Sequence, residues 1–177
     1  PPPGPISVTC YTSPNPVNLG NGTTLFASAT GGSGGYLYSL NGGGYQSSSS
    51  QVYLPSDAGN YTYIVTVKDS NNATASNSCP LTVNGVAPSV TGYTWDTQPV
   101  HGVNFSGYVY GNAFTPSSTV WFYGPGCTNG CQHPGAGVSV QSLTTIRLTN
   151  VNLGAGSYQV QVRTAYGSAT STSFTVN

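Results

Sequence analysis

Charge is what this chain has least of. Across 177 residues only Lys68, Arg147, Arg163, Asp57, Asp69 and Asp96 are formally charged, the net charge is zero, and glutamate and methionine are absent. Three scattered cations cannot follow a phosphate backbone, because nucleic-acid affinity grows with the number of phosphates neutralised. Carboxylates are equally scarce. Glycoside hydrolysis needs two of them across one bond, and each aspartate has a structural place: Asp57 and Asp69 in turns, Asp96 near a strand end. Neither His101 nor His133 falls in a pattern that pairs a nucleophile with an oriented base. No apolar run approaches the ~20 residues of a spanning helix, and no window repeats near 3.6 residues, so no helix is expected. These absences leave a non-enzymatic chain with no cofactor, no metal, no nucleic-acid partner and no membrane span.

Thirteen tyrosines, five phenylalanines and two tryptophans supply the apolar area that disordered polar chains lack. A folded chain with an uncharged Gly, Ser, Thr and Asn surface follows. Near-zero net charge favours association or a covering of glycan. Residues 57–68 carry the clearest structural signal. Tyr61, Tyr63, Val65 and Val67 fall on one face, and Thr62, Ile64, Thr66 and Lys68 on the other, the period of a half-buried strand. Just upstream, Asp57 and Gly59 form a turn that places Tyr61 as the corner tyrosine of an immunoglobulin-like sandwich, its hydroxyl bonding back to the backbone. The pattern returns at Gly156-Ser157-Tyr158-Gln159-Val160-Gln161-Val162-Arg163. The predicted fold is all-β, two immunoglobulin-like antiparallel β-sandwiches in tandem.

The expected organisation is a proline-rich linker at 1–5, a sandwich at 6–84, a short linker at 85–88 and a second sandwich at 89–177. The start at Pro1, without initiator methionine or signal segment, is expected for a processed piece of a longer precursor. Within the first sandwich, strands are predicted at 6–10, 23–30, 35–40, 51–54, 61–68 and 74–83.

Four cysteines indicate an oxidising compartment. Cys10 lies in the first predicted strand and Cys79 in the last; these can be neighbours in such sandwiches, and a bridge between them would stabilise by roughly 4 kcal/mol in the chain-entropy model. Cys127 and Cys131 flank Thr128-Asn129-Gly130, where a local bridge is worth ~2 kcal/mol on the same basis. Zinc on these cysteines with His133 and His101 is the sharper alternative, but the spacing is unusual and a further ligand is missing. Calcium at Asp69, Asn71 and Asn72 would have too few carboxylates to bind well. Glycosylation triplets at Asn21, Asn60, Asn72 and Asn104 are what an Asn-, Ser- and Thr-rich chain yields by chance.

Aromatics are the best binding candidates. Trp121 and Tyr123 share one face of their strand and Phe122 takes the other; Tyr108 and Tyr110 likewise oppose Val109. An outward row would stack on sugar rings or on a neighbouring subunit. The alternative makes Trp121 the core tryptophan of its sandwich, with Tyr108 and Tyr110 as ordinary strand residues, and alternation alone does not decide which face is inside.

Residues 24–84 resemble the PKD-like and gliding-adhesin-type repeats of bacterial surface proteins. The resemblance lies in Gly31-Gly32-Ser33-Gly34-Gly35-Tyr36-Leu37-Tyr38-Ser39, in Leu54 with Gly59-Asn60-Tyr61-Thr62, and in Val65-Thr66-Val67-Lys68-Asp69-Ser70-Asn71. Residues 87–177 are similar to an IPT/TIG-type domain through Pro88-Ser89-Val90-Thr91-Gly92, Val120-Trp121-Phe122-Tyr123-Gly124 and the close from Gly156-Ser157-Tyr158 to Val176. Where that family has a short turn, this chain inserts a loop at 125–136. The resemblance implies an extracellular structural protein, a protomer or stalk segment of a bacterial surface fibre or adhesin. Open sandwich edges would let subunits exchange a strand, either Ile6-Ser7-Val8-Thr9 or the strand ending at Asn177. Its alternatives are accessory modules of a secreted polysaccharide-degrading enzyme, binding glycan through Trp121, Tyr123 or the 127–131 loop, and inert spacers.

Overall fold

The computed structural model describes residues 4–177, and the chain divides after Asn84 into two compact units. The described residues form strands and one three-residue 3-10 turn at Gly135–Gly137. Of the predicted linker at 1–5, residues 1–3 lie outside the described residues; Gly4 accepts a hydrogen bond at 2.8 Å from the Gly32 amide.

The first unit contains β1 (Ser7–Ser13), β2 (Val17–Asn18), β3 (Thr23–Thr30), β4 (Leu37–Leu40), β5 (Ser50–Tyr53), β6 (Gly59–Lys68) and β7 (Thr74–Asn84). One sheet runs β1-β3-β5 and the other β2-β7-β6-β4. Alternation in β6 buries Tyr63, Val65 and Val67 and leaves Ile64 outside; Leu25, Leu40, Leu81 and Val83 complete the core. The Tyr61 hydroxyl donates to the Asp57 carbonyl at 2.8 Å, closing the corner onto the turn before it.

Three features differ from the sequence-based expectation. The third strand begins at Leu37 because Gly31, Gly32, Gly34 and Gly35 all take positive φ, backbone that a Cβ makes costly, and curl into a loop. The chain leaves the first sheet at Ser13 and enters the second at Val17, where β2 pairs with β7 in parallel and not antiparallel register. Between them stand Pro14 and Pro16, which offer no amide to either ladder. Finally, the expected Cys10–Cys79 bridge is formed, but between strands that share no ladder. The disulfide spans the sandwich, from the edge strand of one sheet to an inner strand of the other.

The second unit, which includes the predicted linker 85–88, contains β8 (Ser89–Trp95), β9 (Phe105–Asn112), β10 (Thr119–Gly124), β11 (Cys127–Gln132), β12 (Val138–Ser142), β13 (Thr145–Val151), β14 (Gly156–Thr164) and β15 (Gly167–Val176). Its sheets run β11-β10-β14-β15 and β12-β13-β9-β8. Phe105, Val109, Phe122, Ile146, Leu148, Tyr158, Val160, Val162 and Phe174 fill the space between them. The central half of the expected loop at 125–136 is strand. Pro125 and Gly126 turn the chain, and β11 folds back on β10 with Phe122 opposite Cys131 and Trp121 opposite Gln132. The Cys127–Cys131 disulfide pinches Thr128, Asn129 and Gly130 into a bulge, which is how cysteines four residues apart meet on one strand.

Candidate functional site

Alternation along β10 decides the aromatic question. Val120 is fully buried and Phe122 is 2% exposed, packed with Val160 and Val162 of β14. Trp121 and Tyr123 therefore stand on the outer face of the sheet, and the core-tryptophan alternative fails. Trp121 lies opposite Gln161, and Thr119 opposite Arg163. The Arg163 guanidinium sits 4.0 Å from the Trp121 ring centroid and 5.9 Å from that of Tyr123. It donates to the Tyr123 hydroxyl through one terminal nitrogen and to Gln161 Oε1 at 2.6 Å through Nε. Gln161 Nε2 donates in turn to Thr170 Oγ1 at 3.0 Å, and Trp121 Nε1 to Thr119 Oγ1 at 3.1 Å. Gly130, in the disulfide-pinched bulge, has no room for a Cβ beside the Tyr123 ring. The result is a face of two aromatic rings, a guanidinium and an amide, each held by a neighbour across the sheet.

Beside it, a cavity of about 180 Å³ opens between Ser117, Thr119, Gln132, His133, Val138 and Val140. Thr119 belongs to both features, and Gln132 lies opposite Trp121 in the β10–β11 ladder. His133 lies in the short connection after β11, a loop residue as expected, and is buried there: its ring meets Phe122 edge-on at 5.9 Å, and Nε2 lies 2.9 Å from the Thr149 carbonyl, to which it donates. The two sulfurs that a zinc site would require are joined to each other.

The opposite sheet repeats the motif in simpler form. Val109 is buried, and Tyr108 and Tyr110 face outward with rings 6.2 Å apart and nearly parallel. Arg147 lies 4.5 Å over Tyr108 and grips Asp96 with both terminal nitrogens, at 2.9 and 2.5 Å. That grip holds the Asp96 carboxyl below its usual value. In the first unit Lys68 lies 4.5 Å over Tyr45. Every lysine and arginine of the chain is thus placed on an aromatic ring, where the ring quadrupole attracts the cation. None is left as a bare anion-binding charge.

Asp69 does more than shape a hairpin. It is buried, and its two oxygens accept from the Ser33 amide and hydroxyl, and from the Asn71 and Ala73 amides, all at 2.9 Å. These donors, first among them the Ser33 amide and against the opposing effect of burial, hold the carboxyl below its ordinary 3.8. Both oxygens face N–H and O–H groups, which is the wrong environment for the calcium ion considered from the sequence. A depressed native pKa gives stability that is complete above the unfolded value and lost as pH falls through the native one. Asp69→Asn is therefore expected to lower Tm by several degrees at pH 7, with the gap to the wild type narrowing below about pH 4. Thermal unfolding at both pH values checks this; a gap that widens in acid would contradict it.

The exchange segment proposed from sequence is seated within its own unit. Ser7, Val8 and Thr9 pair with Thr30, Ala29 and Ser28 of β3, and Ile6 precedes the strand. Val8 and Thr12 point inward, and Thr12 Oγ1 donates to the Pro80 carbonyl at 2.9 Å. The sequence reading overlooked the outer face of this sheet. Tyr11, 61% exposed, stacks on Phe26 at 5.1 Å, and Val52 on β5 is 70% exposed. Tyr11 alternating with Cys10 and Thr12 was the available signal. The strand ending at Val176 is also an edge, paired on one side with β14.

No family model matches the chain, and no curated protein matches its sequence. Among solved structures, it is similar to a chain of the complex of Dpr2 Ig1-Ig2 with DIP-Theta Ig1-Ig3, at 14% identity and a TM-score of 0.45, over 99% of this chain and 64% of that one. It is also similar to SGBP-B from a complex xyloglucan utilization locus in Bacteroides uniformis, at 15% identity and a TM-score of 0.40, over 99% and 50%. A third is the Bacteroides ovatus mixed-linkage glucan utilization locus SGBP-B in complex with a mixed-linkage heptasaccharide, at 12% identity and a TM-score of 0.34, over 92% and 42%. The chain spans less than two thirds of each of these. They are likenesses of immunoglobulin-type architecture, at a level that assigns neither partner nor ligand.

Proposed function

We propose that this chain is a non-enzymatic extracellular structural protein, a protomer or stalk segment of a bacterial surface fibre or adhesin, in which copies associate by exchanging β1. The observation that carries this reading is the placement of β1. It is an edge strand, its backbone pairs with β3 alone, and Pro14-Asn15-Pro16 separates it from a strand that already belongs to the other sheet. Such a strand can leave its seat without breaking any other ladder, and short hinges of this kind favour swapping. Two disulfides and an almost uncharged surface suit a durable polymer outside the cell. The PKD-like and IPT/TIG-like motifs point the same way. Electron microscopy of the undenatured protein from its native source is expected to show filaments with a regular subunit repeat, and deletion of residues 1–9 to abolish them. Dispersed two-lobed particles, or filaments unchanged by the deletion, would defeat the reading.

The outer face of β10 and β14 favours a second reading, in which the same domains act as a carbohydrate-binding accessory module. Two outward aromatic rings, with the Arg163 guanidinium lying over Trp121 and the Gln161 amide beside it, combine apolar ring surface and donors of the kind that suit the faces and hydroxyls of a neutral sugar. Trp121→Ala is expected to abolish retention on the bound polysaccharide while costing only about 1 kcal/mol of stability, because the lost partner is an outward cation–π contact. Affinity electrophoresis in soluble glycans, with unfolding measured in parallel, checks both halves. A wild-type chain that no glycan retards would remove this second reading.

A further inference from the structure

Cys10 and Cys79 give the exchange a chemical consequence. Cys10 sits in the middle of β1, and Cys79 in the part of β7 that pairs with β6; the two Cα atoms are 5.7 Å apart across the sandwich. Everything that holds β1 is on the far side of the hinge from it. The β3 ladder runs from Ser7↔Thr30 to Ser13↔Thr24, the Pro80 carbonyl receives the Thr12 hydroxyl, and Asn77 Nδ2 donates to the Val8 carbonyl at 3.2 Å. An exchanged element remakes in its neighbour the contacts it made at home. A second copy's β1 in this seat therefore brings its own Cys10 to the same position against Cys79.

We infer that the Cys10–Cys79 disulfide is an intersubunit bond in the assembled protein, so that each copy gives Cys10 to one neighbour and Cys79 to the other. This rests on the exchange reading above. The bond that forms joins Sγ of Cys10 in one chain to Sγ of Cys79 in the next. The two thiols give up two protons and two electrons to a disulfide oxidant such as oxidised glutathione, which leaves as two thiols. Oxidation then fixes whichever arrangement holds at that moment. A monomer closed on itself is favoured at low concentration, where the local concentration of its own strand wins, and the linked polymer is favoured at high concentration. Cys127 and Cys131 lie four residues apart in the second unit, on a single bulged strand, and stay within one chain in either case.

The test mixes equal amounts of unlabelled and heavy-isotope-labelled full-length chain, reduced and unfolded, and refolds them at high concentration with reduced and oxidised glutathione. The assembled fraction is digested without reductant and the bridged peptides are weighed. About half of the Cys10–Cys79 pairs are expected to join one light and one heavy peptide, as random exchange between copies requires, while the Cys127–Cys131 peptides remain unmixed. Assemblies in which every Cys10–Cys79 pair is unmixed would overturn this inference together with the exchange of β1, and leave only a fibre held by other contacts; no assembly at all would overturn the fibre reading itself. A parallel measurement avoids refolding: filaments from the native source, boiled in detergent without reductant, should give a ladder of multimers that collapses to monomer when reductant is added. Monomer without reductant overturns the intersubunit bond.

Discussion

Cys79→Ser is expected to cost the first sandwich more than its disulfide alone. In the monomer closed on itself, the bridge spans 69 residues, and a loop of that length is worth about 4 kcal/mol in the chain-entropy model. Cys79 is also 0% exposed, on the inner face of β7 between Tyr63 and Leu81. Serine there leaves a hydroxyl with no partner in an apolar setting, a further cost of about 1–3 kcal/mol. Cys10 is only half-buried, on the edge strand. Cys10→Ser should therefore lose the bridge but little else, and the difference between the two variants isolates the burial effect. Against typical domain stabilities of about 5–15 kcal/mol, the Cys79 change brings the unit close to unfolding. Both tryptophans lie in the second unit, so tryptophan fluorescence does not see this loss. Amide exchange in β6 and β7 does, and equal protection in the two serine variants would show that the Cys79 site tolerates a hydroxyl.

How much was visible in the residues beforehand varies by element, and for physical reasons. β6 was legible because alternation and a corner tyrosine coincide in ten residues, and period two leaves one assignment of faces once a core exists. β3 was legible to the residue, bounded by Gly22 and by Gly31. β2 was not, since two residues directly after Pro16 carry no period; its pairing with Val83 and Asn84 depends on where β7 ends, a fact of the folded unit. The same limit applied to β11. Cys-Thr-Asn-Gly-Cys has the composition of a loop, and only the disulfide and the pairing of Phe122 with Cys131 make a strand of it.

The candidate site followed the same rule. The i, i+2 spacing of Trp121 and Tyr123 guaranteed a shared face, but which face was inside depended on the partners of Phe122, which come from β14 and β15 about forty to fifty residues on. Arg163 was invisible as their companion, because the register placing it diagonally across from Trp121 is set by the β10–β14 ladder. Asp69 was seen as a turn residue because its neighbours Asn71 and Asn72 are local; its tie to Ser33, thirty-six residues earlier, is tertiary. In each case the local pattern supplied which residues share a face or a turn, and the fold supplied the partner.

Phe174→Ala is expected to destabilise the second sandwich by about 3–5 kcal/mol, the usual range for a buried phenylalanine. The upper half of that range applies because of where the ring sits. Phe174 belongs to the edge strand β15, yet its ring lies 4.8 Å from Trp95, 5.4 Å from Tyr93, 6.1 Å from Tyr158, 6.3 Å from Phe122 and 6.4 Å from Phe105. Tyr93, Trp95 and Phe105 come from one sheet, and Phe122 and Tyr158 from the other, so a single side chain joins both layers at the open edge. Removing it leaves a void among rings too rigid to collapse into it, where flexible aliphatic neighbours would relax. Phe174→Leu refills most of the volume and should cost under half as much. Fluorescence is the right probe, because Trp95 loses its nearest ring and gains water, shifting its emission to the red before the unit unfolds. A loss of less than about 1 kcal/mol would mean that the surrounding rings close the gap and that no hub exists. The consequence reaches the outer face as well: Phe122 is the inward neighbour of Trp121 and Tyr123 on β10, so on the carbohydrate-binding reading proposed above, loosening its seat should weaken retention on a bound glycan in Phe174→Ala even though the substituted ring touches no outward residue of that face.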